Sequence, residues 1–380
     1  MSLFCQPPSK DLESPAFLFV TCQVGAERAL KSEMARLGPR FHFAYSRPGF
    51  LTFKLPAGHN LSDDFELPSV FARASGFSLG KTVASSLEAR AAEAWQIAGG
   101  QSYDALHVWQ RDSAPCKDRG FEPHQTPAAC EAETAIREQG DRLLGTTAHL
   151  TRIARPGQRV LDCILVEPAE WWIGTHCAAS GETCLPGGLC EIALPSGAVS
   201  RAYLKMEEAL VWSGLPLAKG QRVVEIGCAP GGASQALLGH GVHVVGIDPA
   251  EVDPVVAAHP RFTHVQKRGS DVRRREFRGV TWLTADMNVA PQYTLDTVEA
   301  IVTHPTVEIQ GLLLTLKLLD WELAEHIPEY LDRIRGWGYA YVRAKQLAHN
   351  RQEICVAALL RKPQSKPCVE SKQIQRSTPE

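Results

Sequence analysis

The chain has 380 residues, 44% of them hydrophobic and 22% charged, which is ordinary for a globular protein of two or three domains. Forty Lys and Arg stand against 42 Asp and Glu, a net charge of −2. That balance excludes a globally basic nucleic-acid binder, so a polyanionic partner would have to be met by local basic patches.

Residues 1–14 read as a loose polar tail without the basic start and apolar core of a secretory signal. "FLFVTCQ" reads as a strand, and "GAERALKSEMARLG" as a helix with Leu30, Met34 and Leu37 along one face. "FHFAYS" and "GFLTFKLP" add two strands around a Pro-Gly turn, so residues 15–80 predict a ferredoxin-like α+β unit. "PSVFARAS" and "SLEARAAEAWQIAG" then read as helices, with "FSLGKTV" and "ALHVWQR" as strands. A helix over "CEAETAIREQGDRLLG" and a strand pair, "RVLDCILVE" and "EWWIGTHCA", complete a second α+β unit over residues 81–180. Neither unit contains a dense catalytic motif.

Residues 181–199, rich in Gly and Pro, read as a linker. Cys177, Cys184 and Cys190 with His176 are spaced too widely and irregularly for a zinc knuckle, and no metal is assigned. The 11 cysteines include no C-x-x-C pair, which fits a reducing cytoplasm better than a disulfide scaffold. Ser200 is the expected N-cap of a helix over "SRAYLKMEEALVWSG". From there strands and helices alternate to residue 361, which predicts an α/β, Rossmann-like domain with a mostly parallel sheet covered on both faces. The polar stretch 362–380 is expected to be disordered. No apolar run reaches the roughly 18 residues of a membrane span.

The densest motif is "VVEIGCAPGGASQ", a strand running into the turn Gly227, Cys228, Ala229, Pro230, Gly231 and Gly232. No G-K-[ST] follows, so it is not a phosphate loop, and the glycines do not match the G-x-G-x-x-G of a pyrophosphate turn. A ligand without phosphate fits better. S-adenosylmethionine offers an amino-acid end for the turn and ribose hydroxyls for an acid at the end of the next strand. Asp248 in "VVGIDPAEVDP" stands there, although its spacing suits NAD equally. Asp271 in "VQKRGSDV" falls where the adenine edge would lie. Four further residues mark strand ends or the preceding helix: Lys205, Asp286, Lys317 and Glu353. Lys317 lies in the nearly apolar "GLLLTLKL", where a buried amine is costly without a role.

The S-R-A-x-x-K helix, the G-x-A-P-G-G-x-S-Q turn, the D-x-x-x-x-D-P stretch, the D-M strand end and the late Lys and Glu follow in one order. In this the chain resembles the FtsJ-like, or RrmJ-type, 2′-O-ribose RNA methyltransferases over residues 198–361. With the two α+β units ahead, it is most similar to the ribosomal RNA large subunit methyltransferase M (RlmM) family. One position departs: Ala233 stands where the family has an aromatic residue. The resemblance implies S-adenosyl-L-methionine as cofactor, a THUMP RNA-binding unit over residues 81–180, and a cytidine of 23S ribosomal RNA as target. It also implies a Lys-Asp-Lys-Glu tetrad, with Lys317 as base, Lys205 tuning or orienting it, Asp286 holding Lys317 and Glu353 completing the network. Asp286 is also expected beside the cofactor.

Two basic surfaces are candidates for RNA: "QKRGSDVRRREFRG", and the set Arg343, Lys345 and Arg351. Trp282 and Trp321 read as core rather than stacking platforms. A monomer without membrane contact is expected. Two other readings stay open, a small-molecule methyltransferase or NAD enzyme on the same fold, and an RNA-binding accessory protein without turnover.

Overall fold

In the computed structural model, residues 15–114 and 123–361 are described; the tails assigned to 1–14 and 362–380 lie outside them. Two seven-stranded sheets organise the described residues. The first is built from β1 (Phe17–Thr21), α1 (Glu27–Arg36), β2 (His42–Arg47), β3 (Phe50–Lys54), β4 (Ala74–Lys81), α2 (Leu87–Ala98), β5 (Ala105–Gln110), α3 (Pro127–Leu144), β6 (Arg159–Glu167) and β7 (Glu170–Cys177). Its order is β2-β3-β1-β4-β7-β6-β5. β4 pairs antiparallel with β1 on one side and with β7 on the other, so one sheet runs through residues 15–80 and 81–180. Ser86 and Thr126 cap α2 and α3, each accepting from the backbone N–H three residues on.

The stretch "PSVFARAS" is not the helix its sequence predicts. It is irregular from Pro68 to Arg73 and then enters β4. The buried Glu33 carboxylate of α1 captures Val70 N–H at 2.7 Å and also accepts from the Ser69 hydroxyl. Ser69 Oγ in turn accepts from Phe71 N–H at 3.2 Å and Ala72 N–H at 2.9 Å. Side chains thus satisfy the donors that a helix would need, an alternative that short hydroxyl side chains readily offer.

The second sheet follows α4 (Ala202–Ser213). It comprises β8 (Arg222–Ile226), α5 (Gly232–Gly239), β9 (His243–Ile247), α6 (Pro254–Ala257), β10 (Phe262–Val265), β11 (Trp282–Asp286), α7 (Pro291–Val302), β12 (Gly311–Lys317), α8 (Ile327–Gly336), β13 (Tyr341–Lys345) and β14 (Glu353–Leu359). The order is β10-β9-β8-β11-β12-β14-β13, with β14 alone reversed, antiparallel to both β12 and β13. This is a Rossmann-like α/β fold. Its strand order reverses between β8 and β11, and such a switch point is where ligands bind, at the carboxyl ends of the strands. α4 begins one residue later than expected: Arg201, not Ser200, is its N-cap, and the Ser200 hydroxyl receives only a long 3.4 Å bond from Ala202 N–H.

The two halves share apolar packing, in which the rings of Phe71 and Trp321 lie 6.2 Å apart. Gln346 adds polar ties, its N–H donating to the Val70 carbonyl at 2.7 Å and its amide to Gln23 at 2.7 Å. Part of the 181–199 connection is packed as well, with Cys184 and Gly187 buried. Among the described residues no helix is long and apolar enough to cross a membrane.

Candidate active site

The glycine turn leaves β8 at the switch point. Gly227 has φ +83°, and a Cβ there would lie 2.5 Å from the Asp286 carbonyl oxygen. Glycine at this position satisfies the left-handed backbone and lets the exit from β8 lie against the end of β11. Gly232 opens α5 against the segment before α4, where a Cβ would meet Ser200 Oγ at 2.1 Å. Cys228 is buried beneath the turn, while Gly227, Ala229 and Pro230 are partly or fully exposed.

Asp248 follows β9 and pins the turn. Its Oδ2 accepts from Ala229 N–H at 3.1 Å and its Oδ1 from Ala250 N–H at 2.8 Å, and each oxygen keeps a further acceptor site. Asp271 is exposed on a short 3-10 turn, its Oδ1 accepting from Ser270 Oγ at 3.0 Å. That turn packs on the end of β8, since a Cβ on Gly269 would lie 3.0 Å from the Ile226 side chain. The sequence reading did not single out Glu225. It is buried on β8 and accepts from the Ser234 hydroxyl; burial, reinforced by Asp286 and Asp248, pushes its carboxyl up to about 8. The turn itself has no basic residue. The free carboxylate oxygens of Asp248 and the backbone of the turn suit a ligand carrying amino and hydroxyl groups.

Beside the turn, Lys205, Asp286, Lys317 and Glu353 close into a ring. Lys205 Nζ lies 2.5 Å from Asp286 Oδ2 and 2.7 Å from Glu353 Oε1. Lys317 Nζ lies 2.9 Å from Asp286 Oδ1 and also contacts Glu353 Oε2. Each amine therefore bridges both acids, and two charges of each sign cancel. The topology explains the convergence. Asp286 and Lys317 end neighbouring parallel strands, and Glu353 begins the reversed strand directly opposite Lys317 in the register. Lys205 reaches in from α4. Burial works against the Lys205 ammonium, but Asp286 and Glu353 outweigh it and hold the group well above the usual lysine range. Burial likewise opposes the Asp286 carboxylate, but the two lysines hold it below the ordinary range.

Two supports of this ring were not read from the sequence. Glu208, one helical turn after Lys205, is buried and accepts from Ala348 N–H at 2.8 Å and His349 N–H at 2.7 Å. Burial pushes its carboxyl up to about 7. It thereby fixes the loop carrying Asn350, whose amide donates to Glu353 Oε1 at 3.3 Å and whose Oδ1 accepts from Leu347 N–H at 3.0 Å. The i, i+3 spacing from Lys205 was the available signal for Glu208.

The basic surfaces divide. Lys267, Arg268, Arg273, Arg275 and Arg278 are exposed, whereas Arg274 is half-buried. Arg343 and Lys345 instead pair with Glu182 of the connecting segment, at 3.2 and 2.8 Å, so they tie the two halves together. Trp282 is core, and Trp321 is half-buried between the halves.

Residues 198–326 match the FtsJ-like methyltransferase family. The chain is similar to ribosomal RNA large subunit methyltransferase M of Alkalilimnicola ehrlichii, 29% identical over 249 residues that cover 63% of this chain and 62% of the relative. The protein of the same name from Halorhodospira halophila is 33% identical over 178 residues, 46% of this chain and 50% of that one. The chain thus spans about half to three-fifths of the length of these relatives. The solved structure of TrmN from Thermus thermophilus aligns over 90% of this chain and 99% of its own, at 15% identity and a TM-score of 0.34. The matched stretch holds the glycine turn with Lys205, Asp286 and Lys317, while Glu353 lies beyond it.

Proposed function

We propose that this chain is an S-adenosylmethionine-dependent 2′-O-ribose methyltransferase acting on RNA, with a cytidine of 23S ribosomal RNA as its target. In this reading residues 15–80 form a ferredoxin-like unit and residues 81–180 a THUMP-like RNA-binding unit, with the exposed basic segment 267–278 touching phosphates. The observation that carries the reaction is the closed ring of Lys205, Asp286, Lys317 and Glu353 beside the glycine turn. The names of the relatives support the RNA class.

The turn Gly227–Gly232 and Asp248 would hold the cofactor, with Asp271 toward the adenine; when bound, it supplies a methyl group on a sulfonium. A ribose 2′-hydroxyl is a poor nucleophile until it loses its proton, and attack must be in line, so positioning is a large share of the work. Lys205 stays an ammonium and Asp286 a carboxylate, so these two are fixed charges. By the family resemblance Lys317 is the base: once its ammonium has released a proton to solvent, its Nζ accepts the hydroxyl proton. Glu353 and Asp286 hold that Nζ in place from two sides.

The test uses ribosomal RNA from a strain lacking the gene. The wild-type chain restores one 2′-O-methyl mark. Lys317→Ala binds S-adenosylmethionine in calorimetry as before and loses about 10²- to 10⁴-fold in methyl transfer, the usual worth of a general base. Normal turnover by that variant would remove Lys317 from the mechanism. A mark on a base atom instead of the ribose would overturn the reaction class.

A further inference from the structure

A second cluster of ionisable side chains lies in the other half of the molecule. Leu106, Val108, Leu161, Cys163 and Ile173 face the helices α2 and α3. Strand alternation therefore points His107, Asp162 and His176 to the opposite face. His107 and Asp162 are register neighbours on β5 and β6, and their side chains are 1% and 0% exposed; that of His176 is 12% exposed. One ligand atom from each of the three fits within a mutual distance of 4.8 Å. A cavity of about 50 Å³ adjoins them.

The hydrogen bonding of this cluster is incomplete. His176 Nε2 lies 2.8 Å from the Thr183 carbonyl, which can only accept, so Nε2 carries the hydrogen. Its Nδ1 faces Asp162 Oδ2 at 2.6 Å, and in the neutral ring that nitrogen is a bare lone pair aimed at a carboxylate. At 2.6 Å a proton must stand between them, the place a metal ion would take once the pair opens. Asp162 Oδ1 and His107 Nε2 are buried without a hydrogen-bond partner. Nearby charges are already neutralised, Arg73 by Asp112 at 2.7 Å and Lys345 by Glu182 at 2.8 Å.

We propose that His107, Asp162 and His176 bind one divalent transition-metal ion of the Zn²⁺ class, under the cover of segment 178–190. Two imidazoles and one carboxylate suit Zn²⁺ better than Mg²⁺ or Ca²⁺, which favour all-oxygen sites. The bond from His176 Nε2–H to the Thr183 carbonyl is the kind of outer contact that orients a ligating imidazole. Ligands about 2.1 Å from a tetrahedral ion stand roughly 3.4 Å apart, so the His176–Asp162 pair, now at 2.6 Å, must open by somewhat under an ångström. On binding, the proton between His176 Nδ1 and Asp162 passes to solvent and the ion takes both lone pairs. The cysteines flanking this segment are not in the set; Cys177 Sγ faces the Ala178 carbonyl at 3.9 Å.

The full chain, stripped with a chelator, is titrated with Zn²⁺ and separately with Co²⁺. One tight equivalent is expected, with a Co²⁺ spectrum showing d–d bands and no thiolate-to-cobalt charge-transfer band. His107→Gln and Asp162→Asn should each weaken Zn²⁺ binding roughly a hundredfold or more, since even outer-shell partners are worth about 10- to 100-fold. Cys177→Ser and Cys184→Ser should leave the spectrum unchanged. Circular dichroism identifies which variants fold, and if neither ligand variant does, the wild-type Co²⁺ spectrum decides. No stoichiometric uptake, a thiolate band, or wild-type affinity in folded Asp162→Asn would each overturn the site.

Discussion

The four-charge ring makes a prediction about stability that is separate from activity. Asp286 accepts from Lys205 at 2.5 Å and forms an ion pair with Lys317 at 2.9 Å. At an effective dielectric of about 20, each such contact is worth roughly 6 kcal/mol of attraction, offset in large part by desolvation. Asp286→Asn leaves the ring with a net positive charge, and Lys205→Met leaves it net negative. Each single change strands a buried charge and should cost about 3–5 kcal/mol. The double variant removes one charge of each sign and keeps the Lys317–Glu353 contact, so the ring is neutral again. It should be less destabilised than the sum of the singles by about 2–3 kcal/mol. Thermal unfolding of the full chain reads this out, at about 2–4 °C per kcal/mol for a domain of this size. All three variants should lack methyl transfer, so only the unfolding pattern discriminates. Strict additivity would refute the closed network, and single variants as stable as the wild type would refute the contacts themselves.

Gly227→Ala should lower cofactor affinity in calorimetry and the unfolding temperature together. The left-handed backbone costs a non-glycine residue about 1–2 kcal/mol, and the new Cβ would press on the Asp286 carbonyl, 2.5 Å away. Glu208 and Glu225 have folded-state pKa values raised to about 7 and about 8, so the folded chain keeps protons that the unfolded chain has lost. Their contribution is present below about pH 4.5 and is lost as pH rises to 7 for Glu208 and to 8 for Glu225, roughly 3 kcal/mol or more for each. Unfolding temperatures at pH 5.5 and 8.5 should differ less in Glu208→Gln than in the wild type; an unchanged difference would count against the shift. Asn350→Ala should lower kcat about tenfold with little change in KM, because it loosens Glu353 without touching a ligand. A pure KM effect would point to RNA binding instead.

Much of the second half was legible because its chemistry sits where strands end. Asp286, Lys317 and Glu353 each mark the edge of an apolar run, and the glycines of 227–232 announce a sharp turn. Their convergence follows from strand order, and the reversed β14 brings its first residue opposite the last of β12. What was not legible depended on partners distant in sequence. Nothing near "PSVFARAS" reveals that Glu33, more than a helix away, takes its backbone donors. Arg343 and Lys345 look like free basic residues until Glu182 is placed beside them. Glu208 reads as an ordinary surface acid because the two amides it binds lie 140 and 141 residues downstream. His107, Asp162 and His176 come from three strands, and no local spacing joins them.

The short connection between β13 and β14 has a mechanical consequence. Gln346 is fastened to Val70 and Gln23, and Asn350, four residues later, is fastened to Glu353. One tie between the halves and the support of Glu353 thus share a single hairpin, so force carried through that tie is delivered within one hairpin's length of the lysines. Cutting the molecule between its sheets would not yield two independent tools; it would free the very bend that keeps the last acid aimed.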